Sequence, residues 1–213
     1  MKFNSTFRET KAKNEIREKV FQDFRKLYRR GQVHVVSMLP GRTWEVEKRM
    51  MRLVNHSGRE ILMECYERNS IFDMLEFAPR MLPRWVQKNY GTQYEYCQGF
   101  NWADYCGTPT TEIVRKFMEA VTTNNVIYLT FMLTPRGRHG VESIDRNCRK
   151  AMTHPVKSER ARVLLGIFER KIKRKRGRNF TRILFKSYRS PKHTMVTMGW
   201  HFTRRSPIKT VKA

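Results

Sequence analysis

Three consecutive residues, Asp104, Tyr105 and Cys106, followed by Gly107, bring a carboxylate, a phenol and a thiol to one point of the chain. Asp104 could take a proton or orient an acceptor. Tyr105 could stack on a base. Cys106 could act as a nucleophile if its thiol were acidified, or fill space as a small buried thiol. A plain strand-to-helix turn also accounts for the run, with Gly107 at a positive φ and Thr108 or Thr110 as a cap. The chain shows no phosphate-binding P-loop, no HExxH and no serine-nucleophile elbow, so hydrolase and nucleotidase readings are poor. The four cysteines, Cys65, Cys97, Cys106 and Cys148, form no CxxC pair and no Cys/His zinc spacing. No metal is expected, and reduced thiols in an intracellular protein of cytoplasm, nucleus or nucleoid are the simplest reading.

The second candidate chemistry is binding of a polyanion. Of 213 residues, 44 are Lys or Arg and 19 are Asp or Glu, a formal charge of +25. Nucleic acid is the leading partner for such an excess, ahead of an anionic membrane surface. The charge is uneven: residues 170–213 hold 15 basic residues and no acid. The densest run contains Arg170, Lys171, Lys173, Arg174, Lys175, Arg176 and Arg178, at the end of an apolar-periodic stretch. It reads as phosphate contacts, or as a solvated helix end or import-like signal. Tyr188 and Arg189 add an aromatic and a cation on the last hairpin, and Arg136, Arg138 and His139 could grip phosphate from a loop. No apolar run is long enough to span a bilayer, and the polar, Glu-containing start has no signal-peptide pattern, so secretion is not expected.

The elements that must position these residues follow from apolar periodicity. An amphipathic basic helix is expected over 10–30, with Gly31 as its C-cap and its apolar stripe docked on the domain. Strands are expected at 33–39, 61–66, 94–99, 101–105 and 126–133. Helices are expected at 44–55, 70–77, 112–122 and 157–174, with 137–154 irregular and partly helical. A terminal hairpin joins strands at 182–188 and 195–202. Alternation of strands and helices implies an α/β, Rossmann-like three-layer sandwich. Its sheet is mostly parallel, with one antiparallel strand contributed by the hairpin. The expected division is a helix over 1–30, one domain over 31–203 and a flexible basic tail over 204–213.

Five β/α units, a helix and a terminal hairpin resemble a divergent class I (Rossmann-like) S-adenosylmethionine-dependent methyltransferase across roughly residues 31–202. Three strand ends carry the resemblance. Ser37-Met38-Leu39-Pro40-Gly41 stands where the family has a glycine-rich turn under the cofactor. Glu64 stands where an acid holds the ribose hydroxyls, since a carboxylate can accept from both. Asp104-Tyr105-Cys106-Gly107 stands beside the transferable methyl. The resemblance implies S-adenosylmethionine as cofactor. It implies cofactor contacts from Leu39, Pro40, Gly41, Glu64 and Asp104, and from Gln98 and Gly99 after the third strand. It implies catalytic roles for Asp104, Tyr105 and Cys106, the last as in cytosine-C5 chemistry. The chain departs from the family in keeping only Gly41 of the glycine-rich turn and in lacking the Pro-Pro pair of amino-methyltransferases.

The sequence therefore reads as a methyltransferase acting on nucleic acid. RNA is slightly preferred over DNA because no helix-turn-helix or zinc finger is present. Two other readings stand beside it. One is a non-catalytic nucleic-acid-binding protein that kept the fold. The other is a basic structural or packaging protein of a virus or mobile element.

Overall fold

The N-terminal stripe forms α1 (Lys11–Arg29), opened by Thr10, whose side chain accepts from the Lys13 amide. It closes in a Schellman motif: Gly31 N–H donates to Tyr28 O, Gln32 N–H donates to Leu27 O, and Gly31 has φ of 69°. Ile16, Val20, Phe21, Phe24 and Tyr28 recur at helical spacing and are buried. The helix docks on the sheet, with the Phe24 ring edge-on to Phe100 at 5.6 Å. A computed structural model describes residues 10–39, 45–59, 61–67, 84–90, 94–105, 107–121, 125–134, 143–189 and 193–203. The expected helix at 70–77 and the tail over 204–213 lie outside the described residues.

The chain continues through β1 (Val35–Met38), α2 (Glu45–Ser57), β2 (Leu62–Glu67), β3 (Val86–Tyr90) and β4 (Phe100–Asp104). Then come α3 (Thr111–Ala120), β5 (Val126–Met132), α4 (Arg146–Met152), and α5 (Arg160–Arg176) behind a short 3-10 turn. The hairpin strands are β6 (Phe180–Arg189) and β7 (Thr194–Phe202). One seven-stranded sheet has the order β3-β2-β1-β4-β5-β7-β6. Strands β1 to β5 pair in parallel, and β7 is antiparallel to both β5 and β6. This is the expected mixed sheet with a single strand reversed.

Helices cover both faces. On one, α1 and α2 pack over Val36, Met38, Met63, Cys65, Phe100 and Trp102. On the other, α3, α4 and α5 pack over Ala103, Leu129, Phe131, Val196, Met198 and Trp200. Strand β5 is buried at every position, as a central strand covered on both faces must be. On β7, a Cβ at Gly199 would come within 2.6 Å of the Tyr128 ring, so only glycine lets that ring lie across the sheet.

One strand is not where the periodicity puts it. Residues 94–99 carry no strand; the third strand is β3, at Val86–Tyr90. Among the described residues it lies at the sheet edge and pairs only with β2. Its composition, Val-Gln-Lys-Asn-Tyr, is polar and hides it from an apolar-run reading. The apolar signal at 94–99 comes from Tyr94, which is buried, and Tyr96, which is partly buried, in the connection that leads to β4.

Candidate functional site at the carboxyl ends of the strands

Strand register sets which residues share a level. Val36 of β1 lies opposite both Met63 of β2 and Phe100 of β4. Counting up each strand from that row, Asp104, the last residue of β4, falls level with Glu67, the last residue of β2. Glu64 lies opposite Ser37, three residues nearer the amino edge, or roughly 10 Å at about 3.3 Å per residue. The acid that ends β2 is therefore Glu67, and Glu64 is a mid-strand residue. The apolar run stops at Glu64, but backbone pairing continues through Cys65, Tyr66 and Glu67. Aligning the three strands by register, rather than by where hydrophobicity stops, is the signal that identifies Glu67.

The two carboxylates read from the sequence also fall on different faces. Tyr66 sits on the α3–α5 side, and its hydroxyl donates to Glu64 Oε2 at 3.4 Å. Alternation from Phe100 and Trp102 puts the partly buried Asp104 on the α1–α2 side.

Above the end of β1 on the α3–α5 side lies a group of tyrosines. Tyr94 is buried, and its hydroxyl donates to Ser37 O at 2.9 Å. Ser37 Oγ in turn donates to Glu95 O. Tyr94 meets Tyr66, Tyr96 and Tyr105 edge-on, with centroids 5.4, 4.9 and 5.9 Å apart. The Tyr96 and Tyr105 hydroxyls lie 3.2 Å apart, and the Tyr105 ring stacks on Phe131 at 5.7 Å. Burial raises the phenol pKa of all four: Tyr66 is pushed up to about 12, with help from the nearby Glu64 charge. Tyr105, partly buried against the core, is thus engaged at ring and hydroxyl by its neighbours. Cys97 lies beneath, with its thiol within 3.5 Å of Val35 O and 3.6 Å of Phe100 O. Desolvation, then the Glu64 charge, push this thiol up to about 12.

The turn leaving β4 is tied to β5, with Tyr105 N–H donating to Thr130 O and Met132 N–H to Gly107 O. Thr110, not Thr108, caps α3. Leu39 leaves β1 with its N–H on Trp102 O and its side chain against the α3–α5 core. Pro40, Gly41, Cys106, Arg136 and Arg138 lie outside the described residues.

Two expected cofactor residues stand at the opposite edge. Gln98 and Gly99 precede β4 and lie at its amino end, so they do not belong to this site. Gly99 has a packing role: a Cβ there would lie 2.2 Å from Val35 O. Its carbonyl accepts from Val126 N–H. Asn101 fastens the same turn, accepting from Cys97 N–H at 2.8 Å and donating to Val126 O at 3.3 Å.

The basic run on α5 divides by helical position. Arg170, Lys173, Arg174 and Arg178 are exposed. Lys175 donates to Met118 O at 2.6 Å, Lys171 lies 4.0 Å from Asp145, and Arg176 is buried with its guanidinium on Thr203 O. Lys175 and Arg176 are thus engaged within the fold, and Lys171 lies partly buried beside Asp145. Tyr188 is half-buried against the α1–α2 core, and Arg189 is exposed near the carboxyl edge of β5, on the outer strand of the sheet. Among the described residues, no three His, Cys, Asp or Glu side chains group to hold a metal, and no helix is long and apolar enough to cross a membrane.

No protein-family model and no curated protein matches this chain. Among solved structures, the DszA carbon methyltransferase aligns with TM-score 0.53 and 11% identity, over 92% of this chain and 56% of that one. The magnesium protoporphyrin IX methyltransferase ChlM from Synechocystis PCC 6803 aligns with TM-score 0.44 and 12% identity, over 90% of this chain and 85% of that one. The chain spans about half (51%) of the citrinin polyketide synthase CMeT domain structure that it also matches. The strand order with β7 reversed, together with the DszA alignment, shows that this chain has the class I, Rossmann-like S-adenosylmethionine-dependent methyltransferase fold.

Proposed function

We propose that this chain is an S-adenosylmethionine-dependent methyltransferase whose acceptor is a nucleic acid. The observation that carries the reading is the pair of strand-end acids: β2 and β4 finish at one level, in Glu67 and Asp104, flanking the exit of β1. Carboxyl ends of parallel strands beside the central strand are where open α/β sheets bind ligands. A carboxylate at the Glu67 position suits a ribose diol, so the residue types there fit an adenosine cofactor. The bound cofactor supplies a methyl group on a sulfonium, which needs no metal. With the cofactor bound, Asp104 would take the proton that the acceptor loses on gaining the methyl group. The rest of the rate comes from holding acceptor and methyl in line.

The nucleic-acid acceptor is supported by charge that the fold does not consume. Arg170, Lys173, Arg174 and Arg178 stay exposed after the internal bonds of α5 are counted, and Arg189 adds a cation near the carboxyl edge. The test is transfer of labelled methyl from S-adenosylmethionine to pooled RNA or to duplex DNA. Incorporation that Asp104→Asn abolishes supports the reading; no incorporation into either pool overturns it.

One observation favours a second reading, a nucleic-acid-binding protein that retains the fold without catalysis. Only nine residues join β3 to β4, and Tyr94 fills the space against Ser37. In that case the protein binds nucleic acid and not the cofactor.

A further inference from the structure

The groove between α1 and α2 is walled by cations. Arg25 and Arg29, one turn apart, line it from α1, and Arg49, Arg52 and His56 line it from α2. Spacings of four residues on α1, and of three and seven on α2, put each set on a single helix face. Phe21 and Leu53 form the floor of a trough of about 310 Å³. Arg49 is fixed in place: its guanidinium lies 4.0 Å over the Phe21 ring and 2.7 Å from Glu18. Arg25, Arg29 and Arg52 make no ion pair within 4 Å among the described residues. Like charges stacked on facing helices repel. Here they converge on one trough with no carboxylate among its described lining residues and Glu18 held beside it on Arg49, an arrangement that a bound polyanion would stabilise.

We infer that this groove binds the phosphodiester backbone of a nucleic-acid strand; the inference rests on the nucleic-acid reading above and names a new site for it. Residues 49 to 56 span roughly 10 Å of helix, longer than one phosphate and suited to consecutive ones. Arginine is the fitting cation, because its planar fork meets phosphate oxygens in pairs. The trough is shallow and lies between two helices that each present a row of cations, which suits the successive phosphates of a strand. It opens on the opposite face of the sheet from α5, so it is distinct from the Arg170–Arg178 surface.

The experiment uses the full chain, a fluorescein-labelled single-stranded RNA and anisotropy at several salt concentrations. The triple variant Arg25→Gln/Arg29→Gln/Arg52→Gln leaves Arg49 and its contacts intact. Its affinity is expected to fall at least tenfold, with the log–log salt slope reduced by about 2, at about 0.7 per lost single-strand contact. Arg25→Lys/Arg29→Lys/Arg52→Lys is expected to keep most of the affinity, which separates lost charge from lost fold. RNA is expected to protect residues 20–30 and 48–57 from hydrogen exchange. Affinity and slope unchanged in the Gln variant overturn the groove. If neutralising Arg170, Lys173, Arg174 and Arg178 then weakens binding, the nucleic-acid reading stands without it. A wild-type chain that binds no RNA or DNA overturns both, and groove-dependent binding to phosphatidylserine vesicles in place of nucleic acid assigns the site to a membrane and overturns it.

Discussion

The Tyr94 hydroxyl donates a 2.9 Å hydrogen bond to the carbonyl of Ser37, and so closes the chain segment 94–97 over the end of β1. Both groups are buried, and the Tyr94 ring also seats the edges of Tyr66, Tyr96 and Tyr105. Tyr94→Phe keeps the ring and removes the bond. It leaves one buried carbonyl short of a donor, and is expected to lower unfolding free energy by about 1 kcal/mol in urea melts. An unchanged midpoint would show that the bond does not hold the segment.

Alkaline titration reports on the same cluster. Burial raises the pKa of Tyr66, Tyr94, Tyr96, Tyr105 and Tyr128 above the unfolded value of 10.0, with Glu64 adding to Tyr66 and Asp23 to Tyr128. The folded chain thus binds more protons than the unfolded one above about pH 10, so stability is full below that pH and falls as pH rises through it. Five of the eight tyrosines are expected to form phenolate only as the structure is lost. Ultraviolet phenolate absorbance and circular dichroism should change together; reversible ionisation of these five with circular dichroism intact contradicts this.

Gly99 admits no side chain. A Cβ would meet the Val35 carbonyl oxygen at 2.2 Å, and that atom is backbone on the neighbouring strand. Gly99→Ala is expected to cost about 3 kcal/mol, or to prevent soluble expression. A denaturation midpoint equal to wild type would contradict the β1–β4 register.

The two halves of the α5 charge separate by mutation. Arg176 is buried, and its guanidinium reaches Thr203 O, so Arg176→Ala is expected to cost about 2 kcal/mol. Arg174 is exposed, and Arg174→Gln is expected to stay within about 0.5 kcal/mol of wild type while weakening RNA binding. Equal thermal stability of the two variants would contradict the division.

The order of the main elements was legible because apolar runs and caps mark them well. Val126–Met132 is buried at every position and is wholly apolar but for Thr130, and Thr110 and Gly31 punctuate helices where their chemistry says they should. What failed were elements whose hydrophobicity does not follow their pairing. Strand β3 is polar because it lies at the edge, and Tyr94 and Tyr96 are aromatic because they pack on the core from a segment that does not join the sheet. The same cause separates the end of the apolar run from the end of β2. Glu64 ends an apolar run, while the strand runs on to Glu67. Gln98 and Gly99, set after a third strand that is not there, fell at the wrong edge. The groove between α1 and α2 was illegible for another reason: its arginines come from two helices that only tertiary packing makes neighbours.

The central claim is that the carboxyl edge around β1, β2 and β4 holds S-adenosylmethionine, and calorimetric titration of that ligand into the full chain tests it most directly. Saturable binding near one ligand per chain is expected, weakened at least tenfold by Glu67→Ala and changed less than about threefold by Glu64→Ala, since one lost charge-assisted hydrogen bond is worth about 1.5–3 kcal/mol. Absence of any binding heat from the wild-type chain would contradict it.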